Sequence, residues 1–408
     1  MTGAVRAVRR PAYYYGWNIV IACVLSQLAA LGVTLNCFSL FLPSWTTEFN
    51  TPVSSLAFGV MIFSLGCSVF TIPAGLAADK FPVRRVMGLG LAGIALIHMA
   101  IGFTTAGWQI IAIYALALPA AVTFSTAVPA QAVVSRWFVR RRGLAMGLCA
   151  FGLAMAGVVF PPIITHLLPA IGWRATWWVF GGLIALVILP AVVLTLRDRP
   201  TPEEGADYFA SEPHDPQVSD LPLKAVFTRP NVWVIVVVFL AVQSISMAAG
   251  VNMAPLALSR GMSLQTAGLL LSVYSISALV GKLASGLLAD RFGNRMPFAL
   301  LAVISAAGVA MLGFAHGAAA FMAAALLIGL SQGHWTLLAS ATAAEFGPRS
   351  FGRAYGVISA FTPLGSLTAP VVAKVFETTG DYSVSLYVHA AMALAGAVVV
   401  LVGLRERR

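Results

Sequence analysis

The chain has 408 residues, of which 59% are hydrophobic and 10% charged, with a net charge of +11. A soluble domain carries about 25% charged residues, so an ordinary soluble enzyme is excluded. Twelve membrane spans of about 20 apolar residues need about 240 apolar positions, which is what 59% of this length supplies. The long unbroken apolar stretches also exclude an outer-membrane barrel, whose strands alternate polar and apolar positions.

Hydropathy predicts the first four spans at Trp17 to Leu42, Ser54 to Ala78, Val86 to Phe103 and Trp108 to Val134. The fifth and sixth follow at Gly143 to Leu168 and Trp173 to Leu196. The pattern resumes with six more at Asn231 to Ala257, Thr266 to Ala289, Pro297 to Phe314, Ala319 to Ala344, Gly352 to Phe376 and Ser383 to Leu404. The basic residues ahead of Trp17 resemble a signal peptide, but the apolar run behind them exceeds the 7 to 15 residues of a signal core, so it reads as the first span. The fold expected is therefore an all-α membrane protein of twelve transmembrane helices in two six-helix halves, residues 1–196 and 231–408. Residues 197–230 form the linker, rich in proline and acid and too poor in apolar groups to bury a core.

Twelve spans put both termini on one side. The loops on that side hold 21 of the 25 Lys and Arg residues, while the opposite loops hold Arg174 and Arg260 only. Positive loops stay in the cytoplasm, so both termini are expected there. The basic charge is thus a topology signal rather than a nucleic-acid surface, since no basic patch with interleaved aromatics stands on a soluble domain. The four cysteines, Cys23, Cys37, Cys67 and Cys149, fall inside spans without metal spacing and read as small buried side chains. No cofactor or metal motif is present, and neither are paired carboxylates or a Gly-x-Ser-x-Gly nucleophile turn, so no enzyme is expected.

The two halves repeat each other. Gly75-Leu-Ala-Ala-Asp79-Lys80-Phe81 answers to Gly286-Leu-Leu-Ala-Asp290-Arg291-Phe292 at an offset of 211, and Gly143-x-Ala145-x-Gly147 to Gly352-x-Ala354-x-Gly356 at 209. Small residues let helices approach closely, and an Asp at a helix end can meet a neighbouring helix N-terminus and loop arginines.

At these residues the chain resembles the major facilitator superfamily over all twelve spans. The pattern of Gly75, Asp79, Lys80, Arg84 and Arg85, repeated at Gly286, Asp290, Arg291 and Arg295, looks like that superfamily's loop motif. The resemblance implies a cytoplasmic gating latch there, to which Arg142 and Arg353 at the starts of the fifth and eleventh spans also contribute. Trp137-Phe138-Val139-Arg140-Arg141-Arg142-Gly143-Leu144-Ala145-Met146-Gly147, with Gly152, Ala156-Gly157 and Tyr15-Gly16-Trp17, looks like the monocarboxylate porter and oxalate/formate antiporter group, whose members carry small organic anions.

Ionisable groups at membrane depth are rare and usually functional. Of the 14 acids, seven lie in the linker, Asp79, Asp290, Glu345 and Glu406 at cytoplasmic ends, and Glu48, Glu377 and Asp381 on the external side, which leaves none for the interior. That argues against an organic-cation exporter, which needs a buried acid. On the basic side Lys282 stands about two helical turns before Asp290, well inside the eighth span. Placing a lysine there costs roughly 2.5 to 3.5 kcal/mol on insertion scales, and a substrate carboxylate would supply its counter-ion. In the porter group the position four residues before the motif glycine holds a carboxylate-binding arginine, and the resemblance maps that role onto Lys282. Two departures stand beside this: lysine lacks arginine's bidentate fork, and the aspartate of the animal monocarboxylate porters is Ala278 here. Lys374 is expected at the external interface near Glu377.

Uncharged candidates for orienting a substrate are Gln27 and Asn36, Tyr114 and Gln131, Gln243 and Asn252, Tyr274 and Ser275, Gln332 and His334, and Thr362, although each alone also suits a helix-to-helix hydrogen bond. His334 is the candidate titrating partner of Lys282 in coupling, because imidazole titrates near physiological pH. Trp335, Phe361 and Phe38 are candidate apolar walls. The function expected is secondary active transport of a small organic anion, a monocarboxylate by preference, by alternating access. The partners expected are a proton in symport or a counter-anion in exchange, and the lipid bilayer. A carboxylate or dicarboxylate exchanger, and a carrier of a neutral or zwitterionic solute with Lys282 structural, are the alternatives. The protein is expected to be monomeric in a plasma membrane, by composition a bacterial inner membrane.

Overall fold

The computed structural model describes residues 14–138, 142–200 and 226–405; most of the expected linker lies outside them. All the regular secondary structure described is helical. The first span is α1 (Gly16–Leu31), a π turn (Gly32–Asn36) and α2 (Phe38–Phe49). The second and third are α3 (Val53–Lys80) and α4 (Val83–Gly102). The fourth is broken into α5 (Gly107–Ala112), a π turn (Ile113–Ala117), α6 (Leu118–Ser125) and α7 (Ala127–Trp137).

The expected break between the fifth and sixth spans, after Leu168 and before Trp173, is a single residue. Helix α8 (Arg142–Leu183) runs through it, followed by a π turn (Ile184–Ile188) and α9 (Leu189–Thr195), and the chain reverses only at Gly172 (φ 75°, ψ 167°). That backbone conformation is open to a residue without a Cβ, so a single glycine replaces a loop. For this reason the described residues contain eleven helical stretches long and apolar enough to cross a membrane, one of them the 45-residue stretch Phe151–Thr195 that holds two expected spans.

The second half is α10 (Pro230–Ser259), α11 (Leu264–Phe292), α12 (Arg295–Phe314), α13 (Ala318–Leu330), a 3₁₀ turn (Ser331–Gly333), α14 (His334–Ser359), α15 (Thr362–Ser366), α16 (Thr368–Thr379) and α17 (Ser383–Gly403). Helix α14 likewise joins the tenth span to the eleventh. Local signals set several ends: the Ser263 hydroxyl caps α11 by accepting from the Thr266 N–H at 3.2 Å, and Gly293 at φ 74° ends it.

Within the first six spans α1 and α4 pack on α8, and α3 and α4 on α6; within the last six α12 and α10 pack on α17 and α11 on α13. Contacts between the two sets run through α8 against α11, α3 against α16 and α2 against α10. The buried apolar core divides in a way that fixes where these sets touch. One cluster takes first-half residues together with second-half residues 245–271, 306–328 and 369–393. The other contains second-half residues alone, 226–242, 289–302, 337–358 and 397–404, at the end that carries the chain termini. Among the described side chains the two sets therefore share a core at the end away from the termini and part toward the termini, which leaves a cleft between the two sets at that end.

Candidate functional site

The face of α11 that meets α8 is spaced at three and four residues. Gly268 sits against Thr165 and the Pro161 carbonyl, Ser272 Oγ donates to the Val158 carbonyl at 3.3 Å, and Ser275 lies so close to Gly157 that a Cβ there would stand 2.0 Å from its Oγ. Seven residues on, two full turns and the same face, comes Lys282. It is half-buried and has no hydrogen-bond or ion-pair partner among the described residues. The described contacts of this face with α8 stop at Ser275, and several α8 side chains farther toward the terminal end lie outside the described residues; the ammonium stands on that stretch of the face.

Just beyond, toward the closed end, a cavity of about 80 Å³ lies between the two sets of spans. Asn36 and Val60 line it from one side, Ser246, Gly250, Tyr274 and Ser275 from the other. Asn36 is carried on the π turn of the first span, a distortion frequent at functional sites, and its amide donates to the Leu153 carbonyl on α8 at 3.4 Å. From α10, α11 and the 3₁₀ turn a polar network backs the cavity: Gln332 Nε2 donates to Ser246 Oγ and to Tyr274 Oη, both at 2.6 Å. Behind it His334 is fully buried, with Nδ1 2.8 Å from the Ser331 carbonyl and Nε2 2.8 Å from the Gln243 amide oxygen. A carbonyl only accepts, so Nδ1 carries the proton; a neutral ring then requires Gln243 to turn its amide and donate to Nε2, whereas a charged ring donates from Nε2 to the amide oxygen as it stands. The protonation of His334 is thereby tied to the orientation of Gln243, whose side chain rests against Gly365 on α15.

The structure thus gathers Asn36, Tyr274 and Ser275 at the cavity, joins Gln332 to Tyr274, and sets His334 and Gln243 behind them. Other residues singled out from the sequence are held elsewhere. Tyr114 is buried in an aromatic cluster with Phe38 and Trp45 and donates to the Thr34 carbonyl at 2.8 Å. Gln27 donates to the Cys149 carbonyl at 2.8 Å, tying α1 to α8. Asn252 donates to the carbonyls of Ala248 and Ala369, at 2.9 and 3.2 Å. Gln131 is exposed, and the half-buried Thr362 opens α15. Phe361 packs at 5.8 Å from Trp233, and Trp335 edge-on to Phe239 at 5.1 Å. Lys374 is 65% exposed and 3.4 Å from Glu377.

In the repeated loop motif Lys80, Arg84, Asp290 and Arg291 are exposed, and Gly75 and Gly286 occupy equivalent surroundings, with Val128 and Thr336 each 3.7 Å from where a Cβ would stand. The side chains of Asp79, Arg142 and Arg353 lie outside the described residues. Ser246 is the polar cavity residue that sequence reading missed; a serine in a helix is an unremarkable signal, and only its place one turn from Gly250 on the cavity side reveals it.

The arrangement offers hydroxyl and amide donors and one ammonium and, among the described lining residues, no carboxylate. It is suited to receive an anion and unsuited to a cation. The family model described as Major Facilitator Superfamily matches residues 23–256 and again 241–408. The chain is 27% identical over 365 residues to the MFS-type transporter YhjX of Escherichia coli (strain K12), covering 86% of each, and 27% identical over 409 residues to Monocarboxylate transporter 13 of Bos taurus, covering 95% of this chain and 89% of that one. The crystal structure of a bacterial homologue of the human lysosomal transporter Spinster, inward-facing and occupied, superposes with a TM-score of 0.72 at 15% identity over 96% of both chains. The helical architecture, the internal repeat and these matches make the chain a multi-pass membrane protein that belongs to the major facilitator superfamily of transporters.

Proposed function

We propose that this transporter carries a small organic anion, a monocarboxylate by preference, and that Lys282 binds its carboxylate. The observation that carries the reading is the half-buried ammonium on the cleft face of α11, without a partner among the described residues, two turns from hydroxyls and amides able to hold the rest of a small polar solute. Burying a cation without a counter-ion is costly, so substrate entry relieves a standing penalty. The likeness to Monocarboxylate transporter 13 supports the same substrate class.

In this reading residues 1–196 and 231–408 rock about the cavity as two bodies joined by the 197–230 linker. Both termini lie in the cytoplasm, as the 21 basic residues of the terminal-side loops favour, and the open cleft then faces inward. The protein works as a monomer in a bacterial inner membrane. Proton symport proceeds through His334, the titratable side chain set behind the cavity network: a proton gained there turns the Gln243 amide.

The test is uptake of a panel of radiolabelled carboxylates, amino acids and sugars into proteoliposomes. Lys282→Ala is expected to abolish uptake of the preferred anion, at least 100-fold, and Lys282→Arg to retain part of it, because the guanidinium keeps the charge but changes its geometry. Normal uptake by the alanine variant overturns the assignment. A neutral solute as the sole cargo overturns the substrate class. An imposed pH gradient that neither drives nor alters uptake, with trans anion accelerating it, replaces symport by exchange.

A further inference from the structure

On the outer wall of the first six spans a groove of about 550 Å³ runs between α4 and α9 at the end that carries the termini. Its walls are Gly88, Leu89, Leu189 and Val193, and its mouth holds Arg84 and Arg85. The groove opens to the bilayer: Leu89 is 75% exposed, and Leu96, two turns along α4, and Leu186 and Leu194 beside α9 are similarly bare, as lipid-facing leucines are. Gly88 allows α4 and α9 to meet at the floor, since a Cβ there would stand 2.9 Å from Val193. Both arginines are exposed and have no hydrogen-bond or ion-pair partner among the described residues. The carboxylate of Asp198 accepts the N–H of Val83 and so is spent on the start of α4.

An apolar furrow facing lipid, ending in two exposed guanidinium groups where the helix enters the interface, matches one chemistry: an acyl chain joined to an anionic head. We infer that this groove is a binding site for an anionic phospholipid, with an acyl chain along Leu89, Leu189 and Val193 and the phosphate held by Arg84 and Arg85. Guanidinium pairs with phosphate in a two-pronged geometry that ammonium cannot copy, and basic pockets between helices at the membrane surface select such heads. The site is remote from the cleft, and the inference does not depend on which solute is carried.

Purified protein is stripped of lipid, exposed to equal amounts of phosphatidylglycerol and phosphatidylcholine, and its bound lipid counted by native mass spectrometry. Wild type is expected to retain phosphatidylglycerol in preference to phosphatidylcholine. The pair Arg84→Gln and Arg85→Gln is expected to weaken that retention by about fivefold per arginine, and Val193→Trp to remove it by filling the furrow with both charges intact. Arg84→Lys with Arg85→Lys keeps part of it, and circular dichroism and gel filtration verify that each variant is folded. Equal retention of the two lipids by wild type, or a preference that survives both the glutamine pair and Val193→Trp, overturns the inference. So does displacement of the lipid by inorganic phosphate alone, which would mean that the arginines bind an anion and the groove binds nothing.

Discussion

At the end away from the termini, Glu48 shows what single side chains do at a tight reversal. The turn at Gly172 is followed at once by Trp173 and Arg174; the indole donates to Glu48 Oε2 at 2.6 Å, and the guanidinium pairs with the same carboxylate while resting 4.3 Å over the Trp173 ring. Partial desolvation pushes the Glu48 carboxyl up, but the Trp173 and Arg174 hydrogen bonds and the guanidinium charge outweigh it and hold it below its ordinary value. A folded-state pKa below the unfolded one stabilises the fold above the ordinary glutamate range near 4.3 and loses that contribution as pH falls through the folded value. Glu48→Gln is therefore expected to destabilise at pH 7, and the gap to wild type to narrow as the pH is lowered toward 3. The difference is at most about 1 kcal/mol, because the side chain is 39% exposed and solvent screens the pair. Thermal unfolding of the detergent-purified proteins at the two pH values measures it; a gap undiminished at pH 3 would mean that the contribution is steric rather than ionic.

The elements rest on backbone contacts that side-chain size controls. Helix α11 lies against α13 and α14 through glycines: a Cβ on Gly281 would stand 2.0 Å from the Leu330 carbonyl oxygen, one on Gly329 2.3 Å from the Tyr274 oxygen, and one on Gly333 2.5 Å from the Gly281 oxygen. Backbone cannot yield as a flexible side chain does, so Gly281→Ala is expected to force the helices apart at a cost of about 1–3 kcal/mol or more. Gly286→Ala, with its nearest neighbour at 3.7 Å, should leave thermal stability unchanged. Loss of monodisperse protein on heating, followed by fluorescence-detected gel filtration, separates the two, and equal behaviour would refute the packing argument. The sequence marked Gly75 and Gly286 through their repeat, yet tighter contacts fall to Gly281, Gly329 and Gly333, of which the last two stand in the Gly-x-x-x-Gly spacing of close helix approach. The spans were legible because lipid demands about 20 apolar residues whatever the packing. The reversal at Gly172 falls in the break read between Leu168 and Trp173, whereas the π turn under Asn36 and the 3₁₀ turn at Gln332 were not legible, because each depends on which carbonyl a tertiary neighbour satisfies. The depth of Lys282 and the nearness of Tyr274 and Ser275 to it along one helix were legible from spacing; the place of Ser246 on the cavity and the locked position of Tyr114 were not.

On the scale of the whole molecule, the open end and the closed end must exchange if the cleft is to serve both sides of a membrane. The closed end has an identifiable fastening. The N-terminus of α3 follows Pro52, which supplies no side-chain cap, and a carboxylate from the other set of spans takes that role: the Ser54 N–H donates to Glu377 Oε1 at 2.8 Å and its Oγ to Oε2 at 2.7 Å. The orphan N–H groups and the positive end of the helix dipole favour a carboxylate there, and Glu377 also faces Lys374. Opening this end breaks the cap, so Glu377→Ala, which removes about 1 kcal/mol of capping, is expected to shift the population toward the form open at this end by about fivefold. The shift is read as faster labelling, by a membrane-impermeant thiol reagent, of a cysteine placed at Ser275, in a background whose four native cysteines are changed to alanine. Conversely, Ser54→Cys with Glu377→Cys, bridged by a short bifunctional thiol reagent in the same background without the Ser275 probe, should cut uptake at least tenfold and recover it when the bridge is reduced, since the two sets can then no longer part at this end. Full transport by the bridged protein, or unchanged labelling of the Glu377→Ala variant, would show that the closed end opens elsewhere and that the cap between α3 and α16 is incidental to the cycle.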